Sequence, residues 1–261
     1  MIIADNEIIS PLHSALVPEG FETHVVRRNY SSDELRMPRA IKCLLNHYSA
    51  WQYVVQTGEP ALIVEADFVP CRGISQFPMP YNPDQQGAKI SYVYAAGPVV
   101  YHHGRNDGYW GHACTTVAYT VNPEAADLWL QLLDEYRVKR NFQHYIQWDV
   151  EMPIDLKHHK GIRLYISEKD YGEHGGIPNP EHKLNGITTW HQAASLMAPL
   201  AFMPLYARGS ALIFFFFRAR SRARYIYKFA VGKYFDNWQT FMKIKPDRGK
   251  KLLFAFRRTF L

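Results

Sequence analysis

Residues 38–70 read PRAIKCLLNHYSAWQYVVQTGEPALIVEADFVP, and two periodicities follow one another within them. Ile41, Leu44, Leu45, Tyr48, Trp51 and Val55 recur at steps of three and four, which places them on one face of an amphipathic helix. Pro38 suits its start. Thr57, Gly58, Glu59 and Pro60 end it, because Gly accepts the left-handed backbone past a helix end and Pro cannot continue the helix. Ala61, Leu62, Ile63 and Val64 are then continuously apolar and bounded by breakers, as a strand buried on both faces is. Glu65, Ala66 and Asp67 follow at once. Two carboxylates two residues apart at the carboxyl end of a buried strand stand where open α/β sheets bind ligands. Hard divalent cations take carboxylate, water and phosphate oxygens. Glu65 and Asp67 are therefore a candidate site for a divalent metal, Mn2+ or Mg2+, and a diphosphate; the plain alternative is a solvated strand end.

This helix–strand unit resembles family 25 of the glycosyltransferases, the lipopolysaccharide-biosynthesis and collagen galactosyltransferases. That family carries a Cys-x-x-Ser-His-like helix before an apolar strand ending in Glu-Asp-Asp. The matching residues are Cys43, His47 and Trp51, then Leu62, Ile63, Val64, Glu65 and Asp67. Asn46 stands where the family prefers Ser, Lys42 where it prefers Gly, and Ala66 replaces the middle acid, leaving a Glu-x-Asp pattern. Val117 to Leu133, with Ala118, Tyr119 and Asn122 to Ala126, resembles the family's next strand-then-helix segment, whereas the N-terminal forty and last sixty residues match poorly. The resemblance implies a GT-A-like α/β fold, a Rossmann-like mixed sheet flanked by helices. It also implies metal-assisted, inverting transfer from a nucleotide-sugar donor, UDP-hexose above others, to a saccharide acceptor in lipopolysaccharide or other surface polysaccharide synthesis. On this reading Glu65, Asp67 and His47 face the donor.

At 261 residues and 47% hydrophobic content the chain can build one sizeable α/β domain. Cys43, Cys71 and Cys114 are too few and too scattered for a disulfide framework or a paired-cysteine zinc site, which suits a reducing cytosol. The opening MIIADNEII places Asp5 and Glu7 where a secretory leader would be basic and then apolar. Charge is uneven. From Ala201 to Leu261 fourteen Lys and Arg face two acids, a net +12, so residues 1–200 carry −6 of the chain's +6. The expected division is a catalytic body over 1–195 and a basic aromatic C-terminal segment over 196–261. Such asymmetry points to an anionic partner for that segment, lipid or nucleic acid.

Taken in order, Met1 to Ala4 and Phe21 to Val26 read as strands with a short helix between them. Arg27 and Arg28 then follow, either to meet a diphosphate or to lie solvated. Residues 70–87 read as a long loop, expected as a rim over the donor sugar. Ile90 to Ala95 is a strand, and Gly97 to Trp110 reads as a polar aromatic loop with His102, His103, Arg105 and Asp107; the His-His pair invites a metal but has no third ligand nearby. Ala113 to Val121 is a strand, and Asn122 with Pro123 caps a helix over 124–137.

Gln147 to Asp155, QWDVEMPID, carries three carboxylates. Inverting transfer needs one carboxylate to take the proton of the acceptor hydroxyl. Asp149 is the candidate base and Glu151 the second choice, against the alternative of an acidic first turn of a helix. Ile162 to Ile166 is a strand. Residues 167–186 then hold Glu173, His174, Glu181 and His182 among glycines and prolines and read as irregular. By resemblance His174 and His182 are candidate metal ligands; alternatively Gly175 and Gly176 form an anion-binding backbone nest.

Residues 196–217 are long enough to cross a bilayer, but Pro199, Pro204, Arg208 and Gly209 interrupt them. Arg218, Arg220, Arg222 and Arg224 do not share one helical face. Aromatics interleaved with Lys and Arg suit an anionic headgroup boundary; otherwise the rings complete the core. Together these features lead to a cytoplasmic enzyme, peripheral at the inner face of the membrane, acting on a lipid-linked acceptor. The rivals are a non-catalytic polysaccharide-assembly scaffold and a nucleic-acid-binding protein that uses the basic segment.

Overall fold

The computed structural model describes residues 1–82, 84–104, 108–158, 162–177, 180–186, 192–235, 237–243 and 247–261. The first half of the chain forms β1 (Ile2–Ile3), α1 (Ser10–Leu16), β2 (Val25–Val26), α2 (Ser32–Leu35), α3 (Arg39–Thr57), β3 (Ala61–Glu65), β4 (Phe68–Pro70), β5 (Ala88–Tyr92), β6 (Val99–His103), β7 (Tyr109–His112) and β8 (Ala118–Val121). The second half forms α4 (Pro123–Lys139), α5 (Trp148–Leu156), β9 (Ile162–Ile166), β10 (Gly172–His174), α6 (Pro180–Leu184), α7 (Ala211–Ala230), α8 (Trp238–Lys243) and α9 (Arg248–Phe260).

Eight strands make one mixed sheet in the order β2-β1-β3-β8-β5-β9-β7-β6, with β8 and β7 antiparallel to both neighbours. β1 pairs in parallel with β2 on one side and β3 on the other. Alternation along these strands separates two cores. Ile3 and Ile63 face α3 and α4, whereas Ile2 and Val64 face Leu12 and Leu16 of α1. The crossovers that leave and return past β1 therefore lie on opposite faces of the sheet.

The deciding stretch folds as its periodicity requires. Gly58 closes α3 with φ +71°, donating its N–H to the Val54 carbonyl. Val54 rather than Val55 faces the core, and Asn46, His47 and Ala50 are buried as well. α3 is covered on more than one side: Trp51 stacks on Trp129 of α4 at 4.9 Å and meets Trp148 of α5 edge-on.

Two readings of irregular backbone are corrected. Residues 97–110 are not a loop but contribute β6 and the start of β7, paired antiparallel, with Arg105 and Asp107 outside the described residues. The strand pattern was concealed because, apart from Val99 and the buried Val100, the hairpin is built of Tyr, Trp, His and Gly; Tyr109, for instance, packs on Phe254 at 4.7 Å. His102 binds Asp247 at 2.9 Å, and His103 meets Lys250, so this pair serves the packing of the C-terminal helices. Residues 172–174 form β10, paired with β4, and residues 180–184 form α6.

The C-terminal segment is folded onto the body, and the boundary at residue 195 does not divide the core. Tyr225, Tyr234, Phe235, Phe241 and Phe254 join the same apolar cluster as Ile90, Tyr92 and Ala113. α7 is one continuous 20-residue helix. Its arginines diverge because their partners do: Arg218 pairs with the buried Glu173 at 3.0 Å, and Arg222 donates to the Phe260 carbonyl at 3.1 Å. Arg258 of α9 is fully buried against Asp170, and its guanidinium also donates to the Ser167 and Ala95 carbonyls. No helix among the described residues is long and apolar enough to cross a membrane.

Removing one partner of a buried ion pair leaves an uncompensated charge, at a cost of about 3–5 kcal/mol. Arg258→Met is accordingly expected to lower the denaturation midpoint steeply. Arg257→Ala, which breaks the exposed pair with Glu168, is expected to leave the midpoint nearly unchanged. Urea unfolding of both variants checks this.

Candidate active site

A cavity of about 640 Å³ opens at the carboxyl ends of β1 and β3. This is the point where the strand order turns back on itself, and it is where open α/β sheets hold ligands. Ala4, Asp5, Glu65, Ala66 and Asp67 line its floor. The N-terminal parts of α3 and α5 supply Cys43 and Asp149, and the chain after β10 supplies Gly176 and His182.

β3 holds Glu65 firmly. Its amide donates to the Val117 carbonyl at 2.8 Å, and its carboxylate accepts the Thr116 hydroxyl at 3.3 Å. Asp67 lies in the turn between β3 and β4. The β4–β10 register sets Phe68 opposite His174, which brings the imidazole Nε2 within 3.1 Å of Asp67 Oδ2. Burial alone would lower the pKa of His174, but the Asp67 carboxylate overrides it and raises the imidazole to about 9. Asp67 is held below its ordinary range against its own burial by that imidazolium. The two form an ion pair. Gly176 makes room for it, since a Cβ there would stand 2.2 Å from Asp67 Oδ2. The Gly175–Gly176 backbone thus packs on a carboxylate, which does not fit a nest for anions.

Asp149 sits in the first turn of α5, which the Trp148 indole ties to the Ala40 carbonyl of α3 at 2.9 Å. Burial, and then the negative charge of Glu65, push its pKa up to about 7. Such a carboxyl group is half-protonated at neutral pH and can take or give a proton.

The other expected residues divide. His182 lines the cavity, and burial lowers its pKa. Its neighbour Glu181 caps α3 from a distance, accepting the Arg39 and Ala40 amides at 3.0 and 2.9 Å, so α6 is clasped to the rim. Glu173 is withdrawn to Arg218 and Tyr206. Glu151 points away, paired with Arg140 at 2.8 Å, and does not line the cavity. Arg27 donates to the Glu7 carbonyl and is likewise absent from the wall; among the described residues Arg39, Lys42 and Lys183 join the His174 imidazolium as cations on it. Among the described residues of 70–87 none reaches the cavity, so that loop is not its rim.

His47 lies beneath the floor. It is fully buried, and its Nδ1 meets the Tyr119 hydroxyl at 2.9 Å. A Cys-x-x-x-His spacing places Cys43 and His47 on one helical face, and their donor atoms lie within 4.8 Å of each other and of Glu65.

As to a hard divalent cation, Asp67 Oδ1 is buried without a hydrogen-bond partner among the described residues, and Glu65 stands two residues away on the same floor. Each carboxylate offers oxygens of the kind such an ion takes. His174 Nε2 is turned to Asp67 Oδ2 at 3.1 Å, so an ion on that carboxylate competes with the imidazolium.

No protein-family model and no curated protein matches the chain.

The stability provided by protonated Asp149 is complete below about pH 4 and lost as pH rises through about 7, because its folded pKa is raised above the unfolded value. Asp149→Asn removes that loss. Its melting temperature is expected to exceed the unmodified protein's at about pH 8 and to match it near about pH 4. Differential scanning fluorimetry across pH reads the difference.

Proposed function

We propose that the chain is a glycosyltransferase of GT-A-like fold that moves a sugar from a nucleotide donor, UDP-hexose foremost, to a saccharide acceptor in surface polysaccharide synthesis. One observation carries the reading: Glu65 and Asp67 at the end of β3, Asp149 of α5 and His174 of β10 meet at one cavity, at the strand-order switch. The mixed sheet with helices on both faces agrees with it.

In the proposed mechanism Asp149 accepts the proton of the acceptor hydroxyl as that oxygen attacks the anomeric carbon, inverting it. The pKa of about 7 lets Asp149 be ionised before transfer and release the proton afterwards. Lys42 and Lys183 on the wall meet phosphate oxygens, and the His174 imidazolium keeps Asp67 ionised. A divalent cation held by Glu65 and Asp67 would neutralise charge developing on the departing diphosphate. Asp149→Asn is expected to lower kcat by about 10²–10⁴-fold with little change in nucleotide affinity. Product formation from labelled nucleotide sugars is the readout; an Asp149→Asn enzyme transferring at the original rate contradicts the assignment.

The lipid-linked acceptor and the membrane contact rest on a separate observation. α7 presents Leu212, Phe215, Phe216, Ile226 and Tyr227 to solvent, with Leu212 81% and Phe215 66% exposed, and Arg220 and Arg222 beside them. The adjoining α9 adds exposed Leu252, Leu253 and Phe256. Aliphatic and aromatic side chains rimmed by arginine suit an anionic lipid surface better than nucleic acid, whose backbone asks for cations and stacking rings. Phe215→Glu with Phe216→Glu is expected to abolish co-sedimentation with phosphatidylserine vesicles while leaving nucleotide binding intact. Undiminished sedimentation rejects this face.

A further inference from the structure

We propose that Cys43, His47 and Glu65 form a binding site for one zinc-class ion beneath the cavity floor. Three different donors converge there: the Cys43 thiol and His47 imidazole, one helical turn apart on α3, and the Glu65 carboxylate at the end of β3. All three donor atoms lie within 4.8 Å of one another. Zinc–ligand lengths of about 2.0–2.3 Å in a tetrahedron separate ligand atoms by roughly 3.5 Å. His47 Nε2 and Glu65 Oε1 already stand 3.5 Å apart, so the thiol has only a short way to close.

The imidazole carries the argument. His47 is fully buried, and its Nε2 makes no hydrogen bond among the described residues, facing only Glu65 Oε1 at 3.5 Å, an arrangement that a cation held between the two would satisfy. The other ring nitrogen is oriented by the Tyr119 hydroxyl, which the Trp51 indole in turn fixes at 2.7 Å. Metal-bound histidines rely on such a partner to set tautomer and ring plane. Glu65 is similarly steadied by Thr116.

A thiolate, an imidazole and a carboxylate select zinc over magnesium or manganese. Zinc displaces the thiol proton, and the resulting thiolate and carboxylate balance its charge. Three protein ligands leave a fourth position. Cys43 and Glu65 both line the cavity, so that position faces it and suits water or a ligand oxygen. This site shares the Glu65 carboxylate with the hard-ion seat at Asp67, is distinguished from it by Cys43 and His47, and stands whether or not the chain transfers sugar.

The test is titration of the reduced, full-length protein with Co2+, which reports a thiolate ligand through a near-ultraviolet sulfur-to-cobalt band and four-coordination through visible bands. One Co2+ per chain with both signals, displaced by Zn2+, is expected. Cys43→Ser should remove the sulfur band while Cys114→Ser retains it, and Tyr119→Phe should weaken binding about 10–100-fold. Circular dichroism establishes that each variant is folded. A sulfur band that survives Cys43→Ser overturns the site. So does cobalt bound without a sulfur band and lost in Asp67→Asn, or no saturable binding by the folded protein.

Discussion

The chain leaves β1 toward β2 and returns past it to β3, and this reversal is the constraint on which the rest of the structure depends. The two crossovers cover opposite faces, α1 against Ile2 and Val64, α3 against Ile3 and Ile63. Between them neither helix can fill the space beyond the carboxyl ends of β1 and β3, and a crevice remains. The strand-end carboxylates of Glu65 and Asp67 lie on its floor for the same reason that the strand is apolar: the buried run ends where the sheet meets the crevice.

Charge placement follows from that geometry. Asp5, Glu7, Glu65, Asp67 and Asp149 all line one cavity, and the repulsion among the last three is resolved in two ways. Asp67 acquires a protonated imidazole through the β4–β10 register, whereas Asp149 retains its proton well above the ordinary carboxylate range. A site that holds an ionised acid beside a half-protonated one is costly to folding and useful for proton transfer. The C-terminal segment helps to hold this arrangement in place. Arg218 reaches Glu173, the residue before His174, and Arg258 is buried against Asp170 a few residues earlier. The segment that presents an apolar basic surface to solvent is therefore also the clamp on the strand that carries His174.

Much of this was legible in the sequence because it is local. The helix over residues 39–57, its Gly58 stop, the apolar strand and its terminal acids follow from spacing and turn chemistry. The Asn122 cap follows too, its side chain accepting the Ala125 amide. Asp149 was legible as a carboxylate near a helix start, and the structure brings it to the cavity with Glu65. What was hidden is non-local. Nothing in residues 97–112 shows that Tyr, Trp and His make an edge hairpin, because their apolar partners, such as Phe254, lie far along the chain. Glu181, which stands in a stretch that reads as irregular, is the distant cap of α3. Glu151 and Arg27 have the right chemistry, but each faces another partner. His47 pairs with Tyr119 under the floor, a contact spanning 72 residues.

On the proposed function, the crevice at β1 and β3 is a seat for a nucleoside diphosphate sugar. Isothermal titration of the full chain with UDP, GDP, CMP and their sugars, each with and without Mn2+, tests it most directly. Saturable binding of one nucleotide class at one site per chain is expected, strengthened by Mn2+ and lost in Asp67→Ala. Absence of heat with every nucleotide, in the presence and absence of the metal, would contradict it.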